Sequence, residues 1–192
     1  MVENPHMHLK IKIAISGAAE TSDCPPGTLE KAKELGVELV RRGVVVVTGA
    51  TTGAPYWAAI GAKEAGGFVV GLSPAATERE HVERYNLPID YHDVIIYTGF
   101  GYSGRNLFLT KAGDAVIIVC GRIGTLNEFT DAFEDKKPIG ILIGTGGVAD
   151  EVKEIIEKSH RAADDPYIVY DADPKELVRR VIDLVQKLKV KE

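Results

Sequence analysis

Short apolar, β-branched runs alternate with stretches of helical periodicity along nearly the whole chain. IKIAIS (11–16), VVVVTG (44–49), GFVVGL (67–72), VIIYTG (94–99), AVIIVC (115–120), PIGILI (138–143) and YIVY (167–170) each have the length and composition of a strand buried on both faces. Between them, residues 28–42, 55–66, 103–112, 125–135, 148–159 and 173–188 carry helical patterns. Strand, helix and strand in series require crossover connections, and these place helices on both faces of a parallel sheet. The expected fold is α/β, a doubly wound, mostly parallel sheet of about seven strands. The longest connection without a strong pattern is 73–93, whose charge run EREHVER is expected to form a short solvated helix rather than a substrate lid.

Composition adds bounds. The 192 residues are 45% hydrophobic and 27% charged, which fits one compact domain over residues 10–192 behind a flexible N-terminal arm at 1–9. A formal charge of −5 disfavours electrostatic capture of nucleic acid or of an anionic membrane, so neither is expected as a partner. The apolar runs are too short to span a bilayer, and MVENPHMHLKIKIAI lacks the apolar block and cleavage site of a signal peptide, so a cytoplasmic location is expected. Cys24 and Cys120 are far apart and outside any CxxC, which points to neither a disulfide framework nor a metal knuckle. The histidines, at 6, 8, 81, 92 and 160, include no i, i+4 pair, and no metal site is expected.

In doubly wound sheets ligands bind beyond the carboxyl ends of the strands. Four segments there are glycine-rich or carry unusual polar residues: SGAAETSDCPPG, TGATTGAPYW, TGFGYSGRN and CGRIGTLNE. The first offers the single glycine Gly17 where a dinucleotide loop needs G-x-G-x-x-G, and the second lacks the lysine of a Walker A loop, so NAD binding and P-loop ATP hydrolysis are both disfavoured and no cofactor is called for. What remains is a helix N-terminus opened by glycine, whose amides bind phosphate without a special lysine. CGRIGT and TGATTG (Gly49, Thr51, Thr52, Gly53) both fit. In CGRIGTLNEF, Thr125-x-x-Glu128 also reads as a capping box, with hydroxyl and carboxylate exchanging bonds with each other's backbone N–H. The two readings are compatible, because a first-turn glutamate at that edge faces the same cleft. Arg105, in GRN, comes from a neighbouring segment of the ligand edge and has the geometry to bind a phosphate or hold a carboxylate. Trp57, Tyr56, Phe100 and Tyr102 flank the glycine loops; one could stack on a base, with core packing the expected fate of Trp57. GTGGVADE (144–151) reads as a simple turn and cap.

TGFGYSGRNLFLTKAGDAVIIVCGRIGTLNEF, with TGATTGAPYWAAIGAKEAGGFVVGLSP, resembles the LOG ("lonely guy") phosphoribohydrolases, formerly labelled lysine decarboxylases, and their Rossmann-like relatives. Their pattern P-G-G-x-G-T-x-x-E falls on Cys120 to Glu128, and their upstream arginine on Arg105. The R-N pair at Arg105-Asn106 is similar to the wider branch that includes molybdenum-cofactor carriers. The resemblance implies hydrolysis of the N-glycosidic bond of a nucleoside 5′-monophosphate, with Glu128 and Arg105 as catalytic residues. Gly17, Gly49, Thr51, Thr52, Gly53, Gly121, Arg122, Gly124 and Thr125 would hold the nucleotide and its phosphate. It also implies a homodimer. Two departures stand out. Cys120 replaces the motif's proline, a mild change if the cysteine is a small buried hydrophobe, and Arg122 replaces a glycine that would allow positive φ or close approach. A phosphoribohydrolase and a non-catalytic carrier or sensor of a nucleotide-like or molybdopterin-type phosphate ligand both fit these residues.

Overall fold

The computed structural model describes residues 9–161 and 165–189; apart from Leu9, the arm expected at 1–9 lies outside them. All seven expected strands form: β1 (Lys12–Gly17), β2 (Val45–Thr48), β3 (Val69–Ser73), β4 (Val94–Tyr97), β5 (Ala115–Val119), β6 (Ile139–Leu142) and β7 (Ile168–Asp171). So do the six helices, α1 (Thr28–Arg41), α2 (Ala54–Glu64), α3 (Gly101–Ala112), α4 (Ile123–Glu134), α5 (Val148–Lys158) and α6 (Pro174–Lys189). Every pairing is parallel, and the strand order is β4-β3-β2-β1-β5-β6-β7.

The pleat sorts side chains into two cores. Ile13, Ile15, Ile117 and Val119 point to the face covered by α1, α2 and α6, where Leu35, Ala58 and Val181 are fully buried. Ala14, Val116 and Ile118 point to the other face, against Leu109 of α3, Phe129 of α4 and Val152 of α5. Burial on both sides explains why the central strands read as continuous apolar runs.

The chain lays β2, β3 and β4 to one side of β1, then crosses back to place β5 on the other. This reversal is the topological switch point, where two loops diverge from adjacent strand ends and leave a crevice. Gly17 stands opposite Val119 there. EREHVER forms a short π-helix at Glu80–Arg84. Its charges pair along its exposed side, Arg79 with Glu83 and Arg84 with Glu80. Its one buried residue, His81, hydrogen-bonds Ser73 Oγ through Nδ1 at 2.8 Å and Pro88 O through Nε2 at 3.1 Å.

Candidate functional site

The crevice at the switch point is a cleft of about 170 Å³. Of the residues singled out from the sequence, Gly17, Gly49, Thr51, Arg105, Arg122, Gly124, Thr125 and Glu128 line it. Thr52, Gly53 and Gly121 are not among its lining residues. Thr52 Oγ1 donates to Ala19 O at 3.0 Å, and Gly53, at φ 71°, lies where a Cβ would meet the backbone of Ala18 and Ala19. These two residues lock the β2 loop to the β1 loop.

At the floor of the cleft is a buried ion pair. Arg105 Nη1 donates to Glu128 Oε1 at 3.1 Å, and the two side chains are only 8% and 5% exposed. Ser16 Oγ, at the end of β1, donates to the other carboxylate oxygen, Oε2. Oriented with its nitrogen toward the carboxylate, the Asn106 amide also donates to Oε1 and to Tyr102 O, each at 2.9 Å. Burial pushes the Glu128 carboxyl above its ordinary range, outweighing the guanidinium and the Ser16 hydroxyl, both of which pull it down. Burial likewise lowers Arg105, against the pull of Glu128. The guanidinium lies 6.0 Å from the Tyr102 ring centre, and its Nε is buried with no hydrogen-bond partner among the described residues. A buried donor left unpaired costs about 1–3 kcal/mol, so this atom favours a ligand or water oxygen beside it.

Gly49 makes room for the arginine. A Cβ at 49 would overlap the guanidinium, lying 2.6 Å from Arg105 Cζ. That position therefore serves the ion pair through its lack of a side chain.

The expected capping box does not form. Helix α4 starts at Ile123 with Arg122 as its N-cap, three residues earlier than the box requires, and no side chain caps it. The first helical bond runs from Leu126 N to Arg122 O at 2.9 Å. Glu128 therefore sits in the second turn, and its carboxylate reaches across to Ser16 and Arg105. Gly124 and Thr125 fall in the first turn, whose N–H groups have no intrahelical partner and are available to an anion.

Arg122 has φ −125°, an extended conformation open to any residue, so the anticipated conflict with a positive φ does not arise. The left-handed residues are its neighbours, Cys120 at φ 55° and Gly121 at φ 109°. Proline, fixed near −65°, has no access to the first of these, so the family pattern's proline would change the backbone of this loop.

Cys120 is also no inert hydrophobe. It forms a disulfide with Cys24, with Cα atoms 6.2 Å apart, which corrects the expectation of unpaired thiols. The two residues lie 96 apart in sequence, but the loops after β1 and β5 leave neighbouring strand ends. Only the fold makes them adjacent. Neither Ser16 nor the pairing of the cysteines is legible in the sequence; the sole signal for Ser16 is its place as the last polar residue before Gly17 at a strand's carboxyl end.

Fold and cleft define a LOG-like protein of Rossmann architecture. The sequence model of the SLOG cluster4 family matches residues 10–178, and the chain belongs to that family. An uncharacterised protein of Archaeoglobus fulgidus is 30% identical over 132 residues, covering 69% of this chain and 80% of that one. Among solved structures, the molybdenum cofactor carrier protein of Chlamydomonas reinhardtii superposes with a TM-score of 0.75 at 27% identity, over 93% of this chain and 99% of that one. The structural-genomics target TM1055 gives a TM-score of 0.76 at 25% identity, over 90% and 99%. No helix among the described residues is long and apolar enough to cross a membrane.

Proposed function

We propose that the cleft binds a nucleoside 5′-monophosphate and that the protein hydrolyses its N-glycosidic bond to free base and ribose 5-phosphate. The observation that carries this reading is the buried Glu128–Arg105 pair at the switch point, beside the open first turn of α4, with Arg105 Nε unpaired. The amides of Gly124 and Thr125 hold the phosphate, and Arg122 at the rim adds its guanidinium. Bond breaking leaves positive charge on the sugar, which the Glu128 carboxylate stabilises while it accepts a proton from the attacking water. The water oxygen bonds to the anomeric carbon as the C–N bond breaks with its electron pair on the base, and the base takes up the proton that left the water. A volume of about 170 Å³ is below the ~300–1,000 Å³ of typical ligand pockets and suits sugar and phosphate better than a whole nucleotide. The base then lies at the mouth, within reach of the half-exposed Tyr102. Incubating the protein with a panel of nucleoside 5′-monophosphates and quantifying free base and ribose 5-phosphate tests the reaction.

A second reading, a carrier or sensor of a phosphate-bearing ligand, has its own support. Glu128 already accepts from Ser16, Arg105 and Asn106, which leaves little capacity for a water, and a similar structure is that of a molybdenum cofactor carrier. Nucleotide or pterin-phosphate binding without base release favours it.

The hydrolase reading predicts a pH effect. Because ionised Glu128 is the active form, the acid limb of the rate profile lies above the ordinary glutamate value of about 4.3. Ser16→Ala removes a bond to the charged form, so the carboxyl rises further and the limb moves to higher pH. A limb that stays in place in this variant detaches Ser16 from catalysis.

A cytoplasmic location and a homodimer belong to the same proposal. Phe100 (65% exposed), Phe108 and Ile96 form an apolar surface across the start of α3 and the edge strand β4, suited to a second copy. Sedimentation equilibrium is expected to give twice the chain mass, and Phe108→Glu the single mass.

A further inference from the structure

The cleft has one wall whose covalent tie to the opposite loop is the disulfide. After β1 the chain runs through Ala18 and Ala19, which line the cleft, and on through Cys24 to the start of α1. Its first residues are anchored: Ala54 N donates to Ala18 O at 2.9 Å, and Thr52 Oγ1 to Ala19 O. From Thr21 to Gly27 the backbone is extended or turning and mostly exposed; its hydrogen bonds are local, such as Cys24 N to Thr21 O at 3.1 Å, and its other support is Pro25 resting beside Gly146. Cys120 is its opposite. It is 3% exposed, its N–H donates to Thr145 Oγ1 at 2.8 Å, and its carbonyl accepts from Ala149 N at 3.0 Å. The next carbonyl, of Gly121, accepts from Val148 N. Thus the disulfide joins a weakly held segment to the rigid stem of the phosphate loop.

We propose that Cys24–Cys120 is a redox latch on the ligand cleft: closed, it orders the 18–27 wall against the 120–125 loop; opened by a dithiol reductant, it frees that wall and weakens ligand binding. The chemistry is a balanced exchange. A reductant thiolate attacks Sγ of the more accessible Cys24, the S–S bond breaks, and Cys120 leaves as a thiolate that takes up a proton. The reductant's second thiolate then attacks the reductant's own sulfur in the mixed disulfide and displaces Cys24, which takes up a proton, giving a second free thiol and the oxidised reductant. Two electrons and two protons pass to the protein, and the reverse exchange with a small disulfide closes the latch. Cys120 is the leaving sulfur because Cys24 is the one a reductant can reach, Cys120 being 3% exposed. The reductant reaches the switch because Cys24 is partly exposed and lies in the loosely held arm. Disulfides are uncommon in reducing compartments, and those found there are often redox-sensing.

The chain has only two cysteines, so counting free thiols reports the latch directly. The test compares protein treated with oxidised glutathione with protein treated with dithiothreitol. Free thiols per chain should go from none to two, and amide exchange across 18–24 should speed up roughly tenfold on reduction. The dissociation constant for AMP should rise about five- to tenfold, the scale of re-ordering one or two residues on binding. Cys24→Ser should match the reduced protein under both treatments; if that variant does not fold, the reduced wild type carries the comparison. Persistent free thiols under excess oxidised glutathione, or equal exchange across 18–24 in the two states, would overturn the latch. The affinity arm rests on the nucleotide-binding reading, whereas the exchange arm needs no ligand. If neither form binds any nucleotide while exchange still responds, the binding reading fails and the latch stands.

Discussion

Arg105→Ala is expected to lower the unfolding free energy by about 3–5 kcal/mol, the usual cost of leaving one member of a buried ion pair without its partner. The size follows from burial. With the two side chains 8% and 5% exposed, water does not replace the guanidinium, and the stranded carboxylate keeps only Ser16 and Asn106 as donors. The deficit should also depend on pH with a definite sign. Burial already raises Glu128, and losing the arginine raises it further. A carboxyl raised in the folded state contributes stability fully present below its unfolded value, near 4.3, and lost as pH rises through the folded value. The variant's deficit should therefore be largest above the raised value and shrink as the pH falls through it toward 4.3. Urea unfolding at several pH values measures both effects. A loss below about 1 kcal/mol at neutral pH would mean that the pair is solvated. The double change Arg105→Met with Glu128→Leu should recover most of the stability, since apolar replacements of a buried pair are often neutral or better. Recovery would assign the pair to function, because stability does not require it.

Glu128→Gln is expected to reduce base release from the preferred nucleoside monophosphate by about 10²–10⁴-fold, the range for losing a positioned acid–base group. Binding should change little, since the phosphate is assigned to the amides of Gly124 and Thr125 on the first turn of α4. The amide keeps the size of the carboxylate and its one oxygen can accept from Ser16, but its NH2 then faces the Arg105 guanidinium, so urea unfolding of the variant is measured beside the rates to confirm that it is folded under the assay conditions. Rates from single-turnover experiments, set beside dissociation constants, separate the two contributions. Undiminished release in this variant would remove Glu128 from the reaction. Absence of release in the parent protein, with binding retained, would transfer the proposal to the carrier reading.

Arg105 and Glu128 were legible as a pair because each follows or precedes a recognisable strand, and a doubly wound sheet brings such segments to one edge. Holding a carboxylate is one of the two roles the sequence offers Arg105, and the structure shows it; the reach of Glu128 to Ser16 is not legible, because sequence spacing places Glu128 in a capping box with Thr125, whereas the earlier start of α4 turns it toward β1. Glycine content by itself marks Gly49 and Gly53 as ligand loops. In the structure one accommodates a guanidinium and the other permits close approach of two loops.

By itself, the sequence determined the periodic elements, their parallel winding and the edge at which chemistry collects, since these follow from local patterns of burial and from the handedness of crossovers. Tertiary structure decided the rest. Ser16 meets Glu128, and Cys24 meets Cys120, because the reversal of strand order sets β1 beside β5, joining residues that no local rule relates. The raised carboxyl of Glu128 has the same origin, because desolvation belongs to the packed crevice and not to the residue.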